Sequence, residues 1–297
     1  MQMNSMKKMS FIPKKRLLIP LLLLSTLLIF IGFSFNKSEG SLIKKHIDQQ
    51  LLFGPRLPGS NASQLTAIYF KDILENYDWK VEFQEFYFDG ILLRNVIAKN
   101  SPNPPQLIIG THYDTRQYSD QDPDKSKQSM SVPGAIDGAS GSALILELGK
   151  YIIKEDISIW LIFFDGEDQG NINNWQWSIG AEYFAGKLKE MPDQVVILDM
   201  LGDAELKVYK EDNSDLELSN DIWAIAKRLG YGNYFIDKQK HSMIDDHLPF
   251  INKGIPTSLL IDFDYPYWHT TSDTLDKVSK SNLEIVLDVM LEWVKSI

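Results

Sequence analysis

The stretch Trp160-Leu-Ile-Phe-Phe164-Asp165-Gly-Glu167-Asp168 passes from an unbroken apolar run directly into a turn that carries three acids. A short run that is apolar at every position reads as a strand buried on both faces, the pattern of a parallel sheet covered by helices. Acids at its carboxyl end then lie where open α/β sheets gather their ligands. Three further runs repeat the arrangement. Leu107-Ile-Ile-Gly-Thr111 is followed by His112-Tyr-Asp114, Val195-Val-Ile-Leu198 by Asp199, and Ser258-Leu-Leu-Ile261 by Asp262, with His269 shortly after. One histidine after one strand is ordinarily a hydrogen-bonded structural residue, and one acidic pair a solvated surface. Four strand ends bearing imidazole or carboxylate together supply ligands of the kind zinc takes. Asp137 joins them from Val132-Pro-Gly-Ala-Ile-Asp137-Gly-Ala-Ser-Gly141, a tight turn before a helix, where Gly138 and Gly141 are expected to let backbone approach a metal or substrate.

Around these runs, helix and strand patterns alternate. Ser60-Asn-Ala-Ser63 can cap a helix whose apolar residues Leu65, Ile68, Tyr69, Ile73 and Leu74 recur at helical spacing. Strands are expected at 79–88, 92–98, 106–111, 158–164, 195–198 and 257–261. Helices are expected at 42–52, 140–153, 180–189, 219–229 and 246–252, and from 279 onward. The alternation predicts an α/β fold with three α/β/α layers and a mostly parallel, mixed central sheet. The polar stretch 118–133 reads as a loop.

Composition narrows the chemistry. The chain of 297 residues has no cysteine, which excludes a disulfide framework, thiolate metal ligands and a thiol nucleophile. Five of its 30 basic residues and none of its 40 acidic ones fall within the first 36, leaving 25 basic against 40 acidic beyond them, a net charge of −15. Nucleic-acid binding through a basic surface is thereby disfavoured. The five cations, Lys7, Lys8, Lys14, Lys15 and Arg16, precede an apolar run over 17–33. That order predicts a signal-anchor, or an export signal if it is cleaved, with the remainder outside the cytoplasm. Segments of 1–36 for the anchor, 37–60 for a connector and 61–297 for a catalytic domain follow.

The motifs and their order resemble the M28 family of zinc peptidases, which includes aminopeptidases and glutaminyl cyclases, over about residues 53–295. The resemblance implies a zinc-exopeptidase-like fold with Asp137, Asp168 and His269 as ligands of one zinc. His112 and Asp199, with Asp137 bridging, match the ligands of a second zinc in the aminopeptidases. Glu167 matches the catalytic acid/base, and Asp114 would orient His112. Where many relatives have Glu-Glu, this chain has Glu167-Asp168, a shorter carboxylate that can still bind zinc. Asp78-Trp-Lys-Val-Glu82, Thr115-Arg116, Phe163-Phe-Asp-Gly-Glu-Asp168, Leu198-Asp-Met-Leu-Gly202 and Asp245-Asp-His-Leu-Pro-Phe250 before Trp268-His resemble glutaminyl cyclases in particular.

That resemblance implies closure of an N-terminal glutamine of a peptide or protein to pyroglutamate with one zinc, Asp199 and Asp245 sharing protons with Glu167. Trp268, with Trp175 or Trp177, would wall the pocket. The aminopeptidase alternative implies two zincs and makes Asp199 a ligand. A non-catalytic ectodomain would be expected to have lost ligands, and none of the five is missing. Gly138-Ala-Ser140-Gly-Ser142 lacks the final glycine of a serine-hydrolase elbow, so Ser140 reads as a helix-start residue. His247 reads as structural, and His46 and His241 are given no role.

Overall fold

The computed structural model describes residues 41–297. Its centre is a six-stranded sheet in the order β1 (Lys80–Phe88), β2 (Ile91–Lys99), β4 (Ile159–Phe164), β3 (Leu107–His112), β5 (Gln194–Asp199) and β8 (Thr257–Ile261). Strands β3, β4, β5 and β8 run parallel; β1 and β2 form an antiparallel hairpin that continues antiparallel onto β4. Every residue of β3 and β8 is buried, and so is nearly all of β4 and β5, which explains their unbroken apolar runs.

The layering is visible in two adjacent residues of β4. Successive side chains of a strand point to opposite faces. Phe163 meets Phe70 of α2 (Asn61–Glu75), their ring centres 4.4 Å apart. Phe164 meets Phe184 of α4 (Ile179–Lys187) and Phe250 of α6 (Leu248–Ile251), at 5.9 and 6.1 Å. With α2 on the first face lie α1 (Ser41–Phe53), α3 (Ala139–Ile152) and α7 (Lys280–Val294), which contact one another, while α5 (Leu216–Arg228) contacts α7 and β8. The three-layer, mostly parallel expectation is met.

Three local expectations are revised. The stretch read as a connector belongs in part to the folded unit: α1 buries Ile43 and Ile47 completely and packs on α3. In α2 the inner stripe is Ser63, Thr66, Ala67, Phe70 and Leu74, whereas Leu65 and Ile68 are exposed. Small residues on that stripe let the helix approach the sheet, and spacing alone favoured the larger ones. A two-stranded parallel ribbon, β6 (Val208–Lys210) with β7 (Phe235–Gln239), was not foreseen because its strands are short and largely polar. Among the described residues no helix is long and apolar enough to cross a membrane. The apolar run 17–33 and the rest of segment 1–36 lie outside the described residues.

Candidate active site and metal centre

Because β3, β4, β5 and β8 are parallel, their carboxyl ends open on one edge of the sheet, and the candidate residues converge there. His112 closes β3 and Asp199 closes β5. His112 Nε2 lies 2.9 Å from Asp199 Oδ1 and 3.2 Å from Asp137 Oδ1. His269 Nε2 lies 2.8 Å from Asp168 Oδ1 and 3.6 Å from Asp137 Oδ2. Asp137 thus stands between two clusters that could each hold a cation, His112–Asp137–Asp199 and Asp137–Asp168–His269, all of them buried. Asp137 Oδ2 and Asp168 Oδ2 are buried without a hydrogen-bond donor, a costly condition unless a cation satisfies them. Burial would lower the pKa of His269, yet the charge of Asp168 and the other acids outweighs it and raises that pKa to about 9. The same contest, won chiefly by Asp199, raises His112 well above its ordinary value. The cluster therefore demands positive charge, and imidazole with carboxylate is a donor set that fits zinc. His269 itself is held at φ 54°, in the left-handed region that few non-glycine residues occupy and that histidine adopts more readily than most.

Several buried groups fix this arrangement. Asp114 accepts hydrogen bonds from the backbone amides of Glu167 (2.9 Å) and Asp168 (3.2 Å) and from Gln169 Nε2 (3.0 Å). Its nearest approach to His112 Nδ1 is 3.6 Å, too long for a hydrogen bond. Asp114 therefore holds the turn carrying Glu167 and Asp168, and its nearness to His112 helps to raise the imidazole's pKa. Asp273 does the same for Asp137, accepting from the amides of Ile136 (2.9 Å) and Asp137 (3.1 Å) and from the Tyr265 hydroxyl (2.8 Å). Arg56, fully buried, donates to the carbonyls of Tyr113, Pro133 and Gly134. Asp273 and Arg56 escaped the sequence reading because neither sits at a strand end; no local pattern marks them.

Gly138 and Gly141 let backbone come close to the strand ends that carry the site: a Cβ on Gly138 would stand 2.7 Å from the Asp114 carbonyl oxygen and 3.3 Å from the His112 ring. A Cβ on Gly141 would stand 2.3 Å from Thr111 Oγ1 and 2.5 Å from the Leu198 carbonyl oxygen. The glycines thus seat the start of α3 against the ends of β3 and β5. Ser140 donates to the Ile136 carbonyl and accepts from the Leu201 amide, so its hydroxyl is fully engaged in structure.

Glu167 lies beside these candidate metal clusters among other acids. Burial raises its pKa well above the ordinary value, and Asp245 and Asp246 add to the rise against the opposing influence of His112. Asp245 is raised by burial first and then by Asp199 and Asp246. Asp246 is pushed up to about 8, again chiefly by burial. Asp246 was missed as a participant, although it directly follows Asp245. Ser178 Oγ lies 3.5 Å from Glu167 Oε1.

These groups open into a cavity of about 200 Å³ lined by Asp137, Glu167, Asp168, Asp199, Asp245 and His269 on its polar side and by Met200, Met243, Ile244, Ile261, Phe263, Trp177 and Trp268 on its apolar side. A larger groove of about 470 Å³ beside Lys99, Trp160 and Leu188 holds none of the converging acids and histidines, so volume is a poor guide here. Trp268 stacks on His269 with ring centres 3.8 Å apart, and Trp177 lies nearly parallel to the same ring at 6.1 Å. Trp175 is elsewhere: it packs with Phe86, Leu93 and Ile179, and its indole N–H points to Asp89. Of the two tryptophans that spacing could not separate, Trp177 faces the cavity. His247 is fully buried, its Nε2 3.3 Å from Glu211 and outside the residues lining the cavity. His46 contacts Tyr69 and His241 contacts Asp264, both away from the site.

Known proteins resemble this chain in sequence and fold. The Drosophila melanogaster glutaminyl-peptide cyclotransferase is 28% identical over 87% of this chain and 81% of its own length. The crystal structure of Tannerella forsythia glutaminyl cyclase superposes with a TM-score of 0.80 at 29% identity, covering 87% of this chain and 98% of that one. A Zn-dependent exopeptidase from Parabacteroides distasonis has a TM-score of 0.80 at 30% identity, covering 85% of this chain and 96% of that one. The model of peptidase family M28 matches residues 95–294, a span that takes in both candidate metal clusters and Glu167. With its sheet, its strand-end acids and histidines and this match in agreement, the chain belongs to peptidase family M28.

Proposed function

We propose that the protein is a zinc-dependent glutaminyl-peptide cyclotransferase, converting an N-terminal glutamine of peptides or proteins to pyroglutamate with release of ammonia. The observation that carries this reading is the buried set of acids, Glu167, Asp199 and Asp245, next to Asp137, Asp168 and His269 in a small aromatic-walled cavity. The similarity to glutaminyl-peptide cyclotransferases supports it.

Asp137, Asp168 and His269 would hold one zinc, whose chemistry is to polarise a carbonyl oxygen. Trp268 and Trp177 would flank the glutaminyl stem, excluding water that would otherwise compete with the substrate's own amine. The bond that forms joins the α-amino nitrogen to the side-chain carbonyl carbon; the bond that breaks releases the side-chain nitrogen. Glu167 takes the proton that the attacking amine must lose and delivers it to the departing nitrogen. Burial and the neighbouring acids strengthen its hold on a proton, which suits an acceptor from an amine. Asp199 and Asp245 share that proton load beside it.

The second cluster, His112–Asp137–Asp199, supports an alternative, a two-zinc aminopeptidase with Glu167 as general base for water. Mass spectrometry separates the two. The full-length chain is loaded with zinc and incubated with Gln-initiated peptides. A product lighter by one ammonia supports cyclisation; a product lacking its first residue reverses the ranking. The cationic flank and apolar run at 17–33 support an anchored or exported enzyme whose folded unit lies outside the cytoplasm. Protease accessibility in intact cells, followed by membrane fractionation, tests this.

A further inference from the structure

We propose that Arg116 is a positioning residue that couples the metal ligands to the aromatic wall of the cavity. The proposal rests on the reading of Asp168 and His269 as ligands and Trp177 as wall.

Arg116 is almost fully buried, and its guanidinium reaches three parts of the site at once. Its Nη1 donates to the carbonyls of Asp168 (3.0 Å) and Gly170 (3.2 Å), which fixes the turn bearing one ligand. Its Nε and Nη2 fork onto the carboxylate of Asp120 at 3.0 and 2.6 Å. Asp120 Oδ1 in turn lies 3.5 Å from Nδ1 of His269, the ring nitrogen that faces away from Asp168. The next residues complete the grip: the Gln121 amide donates to the His269 carbonyl, and Asp122 accepts from the amide and hydroxyl of Thr271. His269 sits in its left-handed conformation inside this clamp.

The same guanidinium lies over the ring of Trp177, its Cζ 5.0 Å from the ring centre. On another side Trp177 rests against Gly170, where a Cβ would stand 2.0 Å from the indole. The tryptophan is therefore held between a backbone that Arg116 fixes and the guanidinium itself. A planar fork with several donors can serve two carbonyls, a carboxylate and an aromatic face together; a lysine ammonium at the same place cannot. One side chain thus sets the Asp168 turn, the partner of His269 and the position of Trp177, so a change at Arg116 moves metal affinity and cavity shape together.

The test uses full-length Arg116→Lys, which keeps the charge and loses the fork. Zinc affinity is read by chelator competition. Exposure of Trp177 is read by acrylamide quenching, taken as the difference from the same protein carrying Trp177→Phe. The expected result is zinc binding weaker by about 10–100-fold, the usual effect of losing an outer support of a metal ligand, with a matching rise in Trp177 quenching. Loss of thermal stability alone, with both readouts as in the parent chain, overturns the proposal, as does movement of one readout without the other. Should Arg116→Lys fail to fold, Asp120→Asn loosens the same fork and is judged by the same two readouts. Neither readout depends on turnover, so a failure here is distinct from a failure of the cyclase reading.

Discussion

Replacing Asp114 by asparagine tests the construction of the turn that carries Glu167 and Asp168 most directly. The carboxylate is fully buried and receives three donors: the Glu167 amide on Oδ1, and the Asp168 amide and Gln169 Nε2 on Oδ2. Asparagine offers one oxygen and one NH2 group, so in either orientation the NH2 must face a donor. In the better orientation the Asp168 and Gln169 contacts survive as neutral hydrogen bonds, and the Glu167 amide is left buried and opposed. Loss of one bond to a charged acceptor costs ~1.5–3 kcal/mol, and the orphaned amide adds ~1–3 kcal/mol. Relief of repulsion with Asp165, whose pKa Asp114 helps to raise, offsets part of this. A net loss of ~3 kcal/mol corresponds to a fall in Tm of roughly 6–12 °C for a domain of this size. Since the amide set free is that of Glu167 itself, kcat should fall by about two orders of magnitude, the scale associated with a displacement of ~1 Å. Thermal unfolding, zinc content and kcat on a Gln-initiated peptide are measured on the same preparation. A variant whose Tm and kcat both match the parent would refute the claim that Asp114 holds this turn.

Glu167→Gln should abolish turnover while zinc content by elemental analysis stays at the parent level; full activity would remove Glu167 from its role. Asp137→Ala and His269→Ala should each lose zinc in the same analysis, and complete retention would refute them as ligands. Trp175→Ala and Trp177→Ala should part company: the first should lower stability by ~3–5 kcal/mol as a core truncation, and the second should raise KM with little change in Tm. Asp262 is pushed up to about 7 by burial, with Asp203 contributing, so the folded chain holds a proton that the unfolded chain releases near pH 4. The stability it contributes is complete below about pH 4 and lost as pH rises through 7. Asp262→Asn should flatten that part of the Tm-against-pH curve, and an unchanged slope would count against the assignment.

The sequence by itself determined the sheet and the edge at which the candidate site residues gather. Apolar runs such as Leu107–Ile109 and Val195–Leu198 can be buried only on both faces, and residues at the ends of parallel strands share one edge. His112, Glu167, Asp168 and Asp199 were legible for that reason; Asp137 and His269 lie in turns away from the strand ends, and the order of the motifs picked them out. Tertiary structure decided what depends on contacts distant in the chain. Trp175 and Trp177 are equivalent in sequence, yet only packing sends one into a core cluster and the other to the cavity. Leu65 and Ile68 satisfy helical spacing but face solvent, because proximity to the sheet favours Ala67 and the small residues beside it. Asp114, Asp273, Arg56 and Arg116 hold the site through backbone amides and carbonyls of other segments. Local sequence records which side chain is present, whereas the backbone groups it meets are set only when the chain has folded around it.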